Sequence, residues 1–444
     1  MAAPLEKVPG KAWIVTFAGT AINLCLGILY AWSVWSAKLT VPKLPDGKFN
    51  EALLGTALPG INSAWTYLSN AQVATPFSLC VVIFALLMIP GGRIQDRFGP
   101  KVGATLGGLF LAAGCIVAGL MKSYEGLIIG FGIMGGIGMG IGYAAPTPAA
   151  LKWFGPHKRG LVAGLVVGGY GGAALYIAPL ARWLIADYGL SGSFIILGIV
   201  FAIVVIIAGQ LLAWPPTGYV PPAAQAPKAG APGKGAMTAW DWSTSEMVKT
   251  WQFFALILMF IGTTQSGLLI IAFAAPLAAP LLGAMAWTLV SFGGAVNACG
   301  RVGTGLYSDK IGRTNAYTLN CLVSALCLFA MPAIIGFKSV FLLFLAVGIA
   351  YWQYGGGLAL LPSFTADFFG PKNLGFNYGL VFIGWGLGFF MARLGGTIRD
   401  ITGSLNWAFY MSGLVLIIAV VLARVTKRPS AEQLRASAAA AKQV

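Results

Sequence analysis

The chain has 444 residues, of which 58% are hydrophobic and only 9% charged, with a mean hydropathy of +0.82. A soluble globular chain carries about 25% charged residues, so a water-soluble domain is excluded and a membrane protein is indicated. The net charge of +16 does not point to nucleic acid, whose footprint needs cations clustered on one face, because here they are scattered beside the ends of apolar runs.

About 20 apolar residues cross the hydrocarbon core, so the gaps between charges read directly as spans. The first lies between Lys11 and Lys38, and the second ends at Arg93 in a charge-free run that begins after Glu51. The third and fourth lie between Lys101 and Lys122 and between Glu125 and Lys152; the fifth runs from Arg159 to Arg182, and the sixth follows Asp187 and stops at "WPPTG". The tract from Lys249 to Arg301 is too long for one crossing and splits near Leu282 and Gly283 into spans seven and eight. Arg313 to Lys338, Lys338 to Asp367, Lys372 to Arg393 and Asp400 to Arg424 complete twelve. Each span must satisfy its own backbone inside lipid, which leaves helices or a closed barrel; runs this long and without alternation mean helices.

Basic residues mark the cytoplasmic side of membrane proteins. Lys7, Lys11, Arg93, Arg97, Lys101, Lys152, Lys158, Arg159, Lys228, Lys234, Lys249, Lys310, Arg313, Lys372, Arg424, Lys427, Arg428, Arg435 and Lys442 fall on the side of the termini and outnumber Lys38, Lys43, Lys48, Lys122, Arg182, Lys338, Arg393 and Arg399 on the other. Both termini are therefore expected in the cytoplasm of a cell with the protein multi-pass in its inner membrane. The first apolar run lacks a small-residue cleavage site and reads as an uncleaved first helix. All six cysteines fall inside spans with no CxxC pair, so they read as core residues and not as a disulfide or metal framework.

The chain repeats itself. "GGRIQDRFGPK" after span two aligns with "TGLYSDKIGRT" after span eight, placing Asp96 on Asp309. "LKWFGPHKRGLVAG" aligns with "ADFFGPKNLGFNYG" at nearly the same offset, placing Gly155-Pro156 on Gly370-Pro371. Six spans return the chain to its starting side, so the copies share one orientation about an axis along the membrane normal. The expected organisation is an N-terminal six-helix bundle over 1–213, a cytoplasmic linker over 214–247, a C-terminal bundle over 248–427 and a tail over 428–444. The linker's Pro, Ala and Gly content, as in "PPAAQAPKAGAPGKGAM", cannot bury a core.

These features resemble the major facilitator superfamily, whose loop signature has the form of "GGRIQDRFGP". "LGILYAWSVW", "KWFGPHKRGLVAGLVVGGYGG" and "FFGPKNLGFNYG" further resemble the oxalate:formate antiporter family, close to the monocarboxylate transporters. The resemblance covers roughly residues 12–426 and implies an all-α membrane protein: twelve transmembrane helices in two six-helix pseudo-symmetric bundles.

One side chain stands out physically. Arg301 lies eight residues before Asp309, about 12 Å along a helix, and burying it there costs at least about 2.5 kcal/mol. No Asp or Glu falls within any span, so its neutralisation comes from snorkelling to the surface or from an anionic substrate. A guanidinium presents a planar fork that matches a carboxylate, and the resemblance implies this role for Arg301. Asn297, one turn earlier, faces the same way; it either holds the fork, contacts the carboxylate or bonds another helix.

The resemblance also implies that Tyr30, Tyr143, Tyr170 and Trp352 line the substrate site, with Gln265, Gln353 and Tyr354 as weaker candidates; packing or an interfacial belt is the competing reading for each. Relatives that exchange oxalate place a lysine on helix eleven, where Trp385 stands here, and a single cation matches a monocarboxylate better than a dianion. Arg93, Asp96 and Arg97, with Asp309 and Arg313, resemble the superfamily's gating signature, and a solvated cluster is the alternative.

Other motifs carry no chemistry. "GFGIMG" fits a nucleotide-binding pattern but lies inside an apolar helix without a preceding strand, and the glycines at 132, 136 and 140 suit close helix approach instead. His157 is the only histidine, no P-loop is present, and no nucleophile-base set can be assembled. The expectation is therefore not an enzyme and has no metal or cofactor. It is a monomeric alternating-access carrier of small monocarboxylates such as formate, lactate or glycolate, working by anion exchange. Proton-coupled symport and oxalate/formate antiport are the alternatives.

Overall fold

Twelve long helices account for nearly all of the described chain. The computed structural model describes residues 8–44, 49–154, 156–216, 219, 242–370 and 374–430, without the side chains of 156–161, 163, 309, 374 and 375. Most of the expected linker, the tail after residue 430, and the side chains of His157 and Asp309 lie outside the described residues.

Helix α1 spans Gly10–Leu39 and tightens to a 3₁₀ turn over Gly27–Ala31. α2 is Asn70–Phe98, α3 Pro100–Met121 and α4 Tyr124–Leu151, the last with a π segment at Leu127–Met134. The runs Pro156–Gly172 and Ala174–Leu211 carry two crossings, because Gly189 (φ 72°, ψ 179°) breaks the second run; α5 is residues 156–188 and α6 residues 190–211. α7 is Trp251–Leu282, α8 Trp287–Ile311, α9 Arg313–Gly336 and α10 Val340–Phe369. α11 covers residues 374–402 in three pieces that meet at Phe382 and Gly388, and α12 is Asn406–Val425.

The split between α7 and α8 falls at Gly283 (φ 51°), where the length of the charge-free tract places it. Two expectations shift. Asp187 does not open a loop between α5 and α6; only the positive φ at Gly189, which an L side chain adopts at a cost, turns the chain. Nor is "GGRIQDRFGP" a loop: residues 91–98 are the last turns of α2, which ends at Gly99 with φ 90°. α8 behaves alike, ending at Gly312 with φ 88°.

Small residues set the interhelical distances. A Cβ built at Gly107 of α3 would lie 2.2 Å from the backbone N of Gly142 in α4. On the other side of α4, Cβ atoms at Gly136 and Gly140 would lie 2.9 and 2.7 Å from the carbonyls of Cys80 and Phe84 in α2. The glycine spacing thus serves backbone contact, the usual device where lipid offers no hydrophobic drive between helices. Large apolar side chains such as Leu120, Leu326 and Phe341 instead face outward, 63 to 73% exposed.

The two halves meet along α2 with α11 and along α5 with α8. On the face opposite the termini the seam is polar and closed. Asp400 of α11 caps α2: its Oδ1 accepts from Asn70 N and Nδ2, and its Oδ2 from Ala71 N, each at 2.8 Å. Lys43 donates to the Gly403 carbonyl at 2.7 Å, and Arg182 Nε to the Ala284 carbonyl at 2.9 Å. The segment after α1 is folded across this face; Trp65 is buried there and donates to Ser191 Oγ at 2.9 Å. The connection between α7 and α8, by contrast, is a single 3₁₀ turn, Gly283–Met285.

Because hydrogen bonds to a charged group contribute about 1.5–3 kcal/mol each, Asp400→Ala should shift the chain away from this closed seam. In an Ala71→Cys background, maleimide labelling from that face should rise severalfold when Asp400 is replaced. Unchanged labelling would show that the seam is held by other contacts.

Candidate functional site

Arg301 sits at mid-length in α8, 6% exposed, at the meeting of both halves. Its Nε donates to Asn297 Oδ1 at 3.3 Å, one N–H of Nη1 to the Val167 carbonyl of α5 at 3.2 Å, and one of Nη2 to the Tyr30 hydroxyl of α1 at 3.1 Å. Gly171 makes room for it: a Cβ there would lie 3.0 Å from Nε. Among the described residues no carboxylate bonds to the guanidinium, and the ion pair that is formed, Arg428 with Asp367 at 4.0 Å, lies elsewhere.

Counting donors shows what this arrangement can hold. A guanidinium has five N–H groups; three bond Asn297, Val167 and Tyr30, and the Tyr143 hydroxyl is a further, looser partner. Because the guanidinium can only donate, the Asn297 oxygen must face it, and the Asn297 Nδ2 is left buried without a partner. Trp385 Nε1 donates to the Tyr354 hydroxyl at 2.8 Å, and Tyr354 and Tyr30 share a hydrogen bond at 3.0 Å. Tyr30 accepts from Arg301 and Tyr354 accepts from Trp385, so whichever hydroxyl donates across the pair, the other keeps a free O–H. The centre thus gathers unused N–H and O–H donors around a positive charge. An unpaired buried donor costs about 1–3 kcal/mol, and a ligand made only of acceptors satisfies all of these at once.

Aromatic rings wall the centre. Tyr170 packs edge-on to Tyr30 at 5.2 Å and to Tyr143 at 5.1 Å, and Phe84 meets Trp385 at 4.8 Å. Phe382 stacks on Trp385 at 5.0 Å. The structure thus brings together Arg301, Asn297, Tyr30, Tyr143, Tyr170 and Trp385 from the sequence-derived set, drawing on α1, α4, α5, α8 and α11.

Three members of that set lie elsewhere. Trp352 lies across Gly300 and Gly303, lining a groove of about 450 Å³ with Phe292, Val296 and Leu319 on the outer side of α8 and α10. Gln353 is committed inside the C-terminal half, donating to the Thr263 carbonyl at 2.9 Å and accepting from Ser266 Oγ at 3.1 Å. Gln265 is likewise spent, accepting from Ser412 Oγ at 2.7 Å and donating to the Ser412 carbonyl at 3.1 Å. Tyr354 takes the central place on α10. Residues 352 and 354 differ by about 200° around a helix, so only one of the two can face the centre, and Tyr354, fully buried between Tyr30 and Trp385, identifies which.

At the face of the termini, Arg93 lies over the Phe376 ring at 5.1 Å, linking α2 to α11, and Arg97 lies over Phe98 at 5.3 Å. Asp96 accepts from Gln95 Nε2 at 3.2 Å, and Arg313 donates to Ser308 Oγ. Of the signature residues, Arg93 crosses the seam through an aromatic ring.

Residues 48–363 match the family model of the Major Facilitator Superfamily. The oxalate:formate antiporter of Oxalobacter formigenes is 31% identical over 385 residues, covering 84% of this chain and 88% of its own length. An uncharacterized MFS-type transporter of Escherichia coli K12, YhjX, is 27% identical with 85% of both chains covered, and monocarboxylate transporter 12 of Xenopus laevis is 24% identical over 78% of this chain and 80% of its own length. Among solved structures, the xylose transporter XylE of E. coli, in a partially occluded inward-open conformation, superposes with a TM-score of 0.67 at 11% identity, over 94% of this chain and 100% of that one. A bacterial homologue of the lysosomal transporter Spinster gives 0.59 at 18% identity, over 98% and 99%. A polytopic helical chain built as two bundles around a shared polar centre, with these relatives across most of its length, belongs to the major facilitator superfamily and within it to the oxalate:formate antiporter family: it is a transporter, not an enzyme.

Proposed function

We propose that this protein carries small monocarboxylates by alternating access, exchanging one anion for another at Arg301, with both termini in the cytoplasm. The observation that carries the reading is a buried guanidinium whose bonds among the described residues all go to neutral oxygens, beside an unpartnered Asn297 Nδ2. At an effective dielectric near 20, a carboxylate about 4 Å from the guanidinium gains about 4 kcal/mol. The remaining guanidinium N–H capacity, the Asn297 amide and the spare hydroxyl of the tyrosine pair then complete its hydrogen bonds.

Size and charge favour one carboxylate. Trp385 fills the position on α11 opposite Arg301 and spends its only donor on Tyr354, so the C-terminal half offers one cation to the centre. Phe84, Phe382 and Tyr170 leave an apolar wall for a short carbon body. The 31% identical relative named for oxalate and formate keeps oxalate/formate antiport as the second reading.

Exchange follows from the cost of an unaccompanied charge. An empty carrier that reorients must take a bare guanidinium through its closed state, whereas a loaded one moves a neutral pair. In proteoliposomes, uptake of labelled formate should be at least about tenfold faster with internal formate than without it, the factor of ~1.4 kcal/mol. Equal rates with and without internal substrate would remove the exchange reading, and acidification of the lumen during net uptake would put proton symport in its place.

A further inference from the structure

A second cation, far from the first, has no carboxylate bonded to it among the described residues. Arg399 lies on the last turns of α11, fourteen residues beyond Trp385 and so about 20 Å along the axis, toward the face opposite the termini. Its guanidinium carbon lies 5.2 Å from the ring centre of Phe49 and 5.7 Å from that of Phe273, so it is held between two phenyl rings from opposite halves. Its Nη1 is buried with no hydrogen-bond partner. Lys43 lies against the same Phe49 ring at 5.2 Å. Burial, and then the neighbouring Arg399 charge, push the Lys43 ammonium below its usual range.

Two cations that share a ring and repel each other are unfavourable unless something answers them. The adjacent acid, Asp400, is engaged by the start of α2 through three bonds, and among the described residues no carboxylate bonds to Arg399 or Lys43. Aromatic faces soften the cost of a cation, but they supply no acceptor for Nη1. An anion does. The location adds meaning, since Phe49 and Lys43 belong to the segment after α1 while Arg399 and Phe273 belong to the C-terminal half, and the site straddles the seam that must part for cargo to enter from that side.

We propose that Arg399 and Lys43 form a second carboxylate-binding site on the face opposite the termini, where the anion docks before it reaches Arg301. The proposal rests on the carboxylate reading of the central site and extends it to the route of approach. The phenyl pair holds the guanidinium in place, and Lys43, bonded to the Gly403 carbonyl, adds a second charge at the same ring. Such a site raises the local anion concentration, an effect that weakens once the Debye length falls below about 8 Å with added salt.

The test is side-resolved kinetics in oriented proteoliposomes with labelled formate. Arg399→Gln and Lys43→Gln should each raise the half-saturation concentration on the face opposite the termini by about three- to tenfold, leave that on the terminal face unchanged, and flatten the dependence on external sodium chloride. Arg399→Lys should restore much of the affinity. Equal half-saturation in the variants and the parent overturns the proposal, as does an equal change on both faces, which marks a merely structural role.

Asp46 stands three residues before Phe49 and lies outside the described residues. Changes of melting temperature in Arg399→Gln and Asp46→Asn should add in the double variant; non-additive changes would show a standing internal pair and also overturn the proposal. Failure here stays separate from failure at the centre. Retained formate exchange in Arg301→Ala defeats the central reading, whereas unchanged kinetics in Arg399→Gln defeat only this one.

Discussion

Arg301→Ala should abolish carboxylate transport while leaving the protein folded and at least as heat-stable as the parent. Truncating one member of a desolvated charge pair costs about 2–5 kcal/mol, which is about 30-fold to several thousandfold in affinity. The formate-induced rise in melting temperature should vanish with it, because that rise depends on the ligand binding the folded state alone. Stability should move the other way: the substitution removes a buried cation that no acid of the described chain answers. Arg301→Lys keeps the charge but loses the fork and is expected to fall between, with weak binding and slow exchange. Purified Arg301→Ala that still takes up formate at the parent rate would end the assignment.

The second large effect is on folding. Gly107→Leu should prevent assembly of the N-terminal half, since the added Cβ would lie 2.2 Å from Gly142 N, 2.4 Å from Gly142 Cα and 2.6 Å from the Gly138 carbonyl. These are backbone atoms, and no rotamer change relieves them. Overpacking that side chains can partly absorb costs about 1–3 kcal/mol; a backbone-on-backbone clash between α3 and α4 should exceed it. Size-exclusion profiles of detergent extracts should show aggregated or absent protein. Gly92→Ala, at a helical position where a Cβ would meet nothing within 4 Å, should behave as the parent. A monodisperse Gly107→Leu would show that α3 and α4 can slide apart.

What the sequence could convey depended on how each feature is written in it. Spans were legible because Lys, Arg, Asp and Glu punctuate otherwise uncharged runs, and α7 and α8 parted at Gly283 as the length rule requires. The boundary between α5 and α6 was placed by Arg182 and Asp187, but the turn itself was not legible, since it rests on one φ at Gly189. Arg301 was legible because a lone intramembrane cation is costly wherever it points. The side chains around it were harder: Trp352, Gln353 and Tyr354 are consecutive on one helix, and the face that meets the centre depends on the rotation of α10, which is set by Gly355, Gly356 and Gly357 packing on α8, α9 and α7. Arg399 was visible only as a charge near an outer helix end, because its two phenyl neighbours come from residues 49 and 273, far away along the chain.

The folded segment after α1 has no counterpart after α7, so the two mouths of the carrier are unlike even though the bundles repeat. Detailed balance limits what that can accomplish. A cap on one mouth cannot rectify the flow: any tightening of half-saturation on the capped side must be matched by a proportionate fall in the limiting rate from that side, and at equal concentrations the forward and reverse fluxes cancel. What the cap sets is the concentration at which each mouth responds, and thus which compartment's fluctuations the carrier follows.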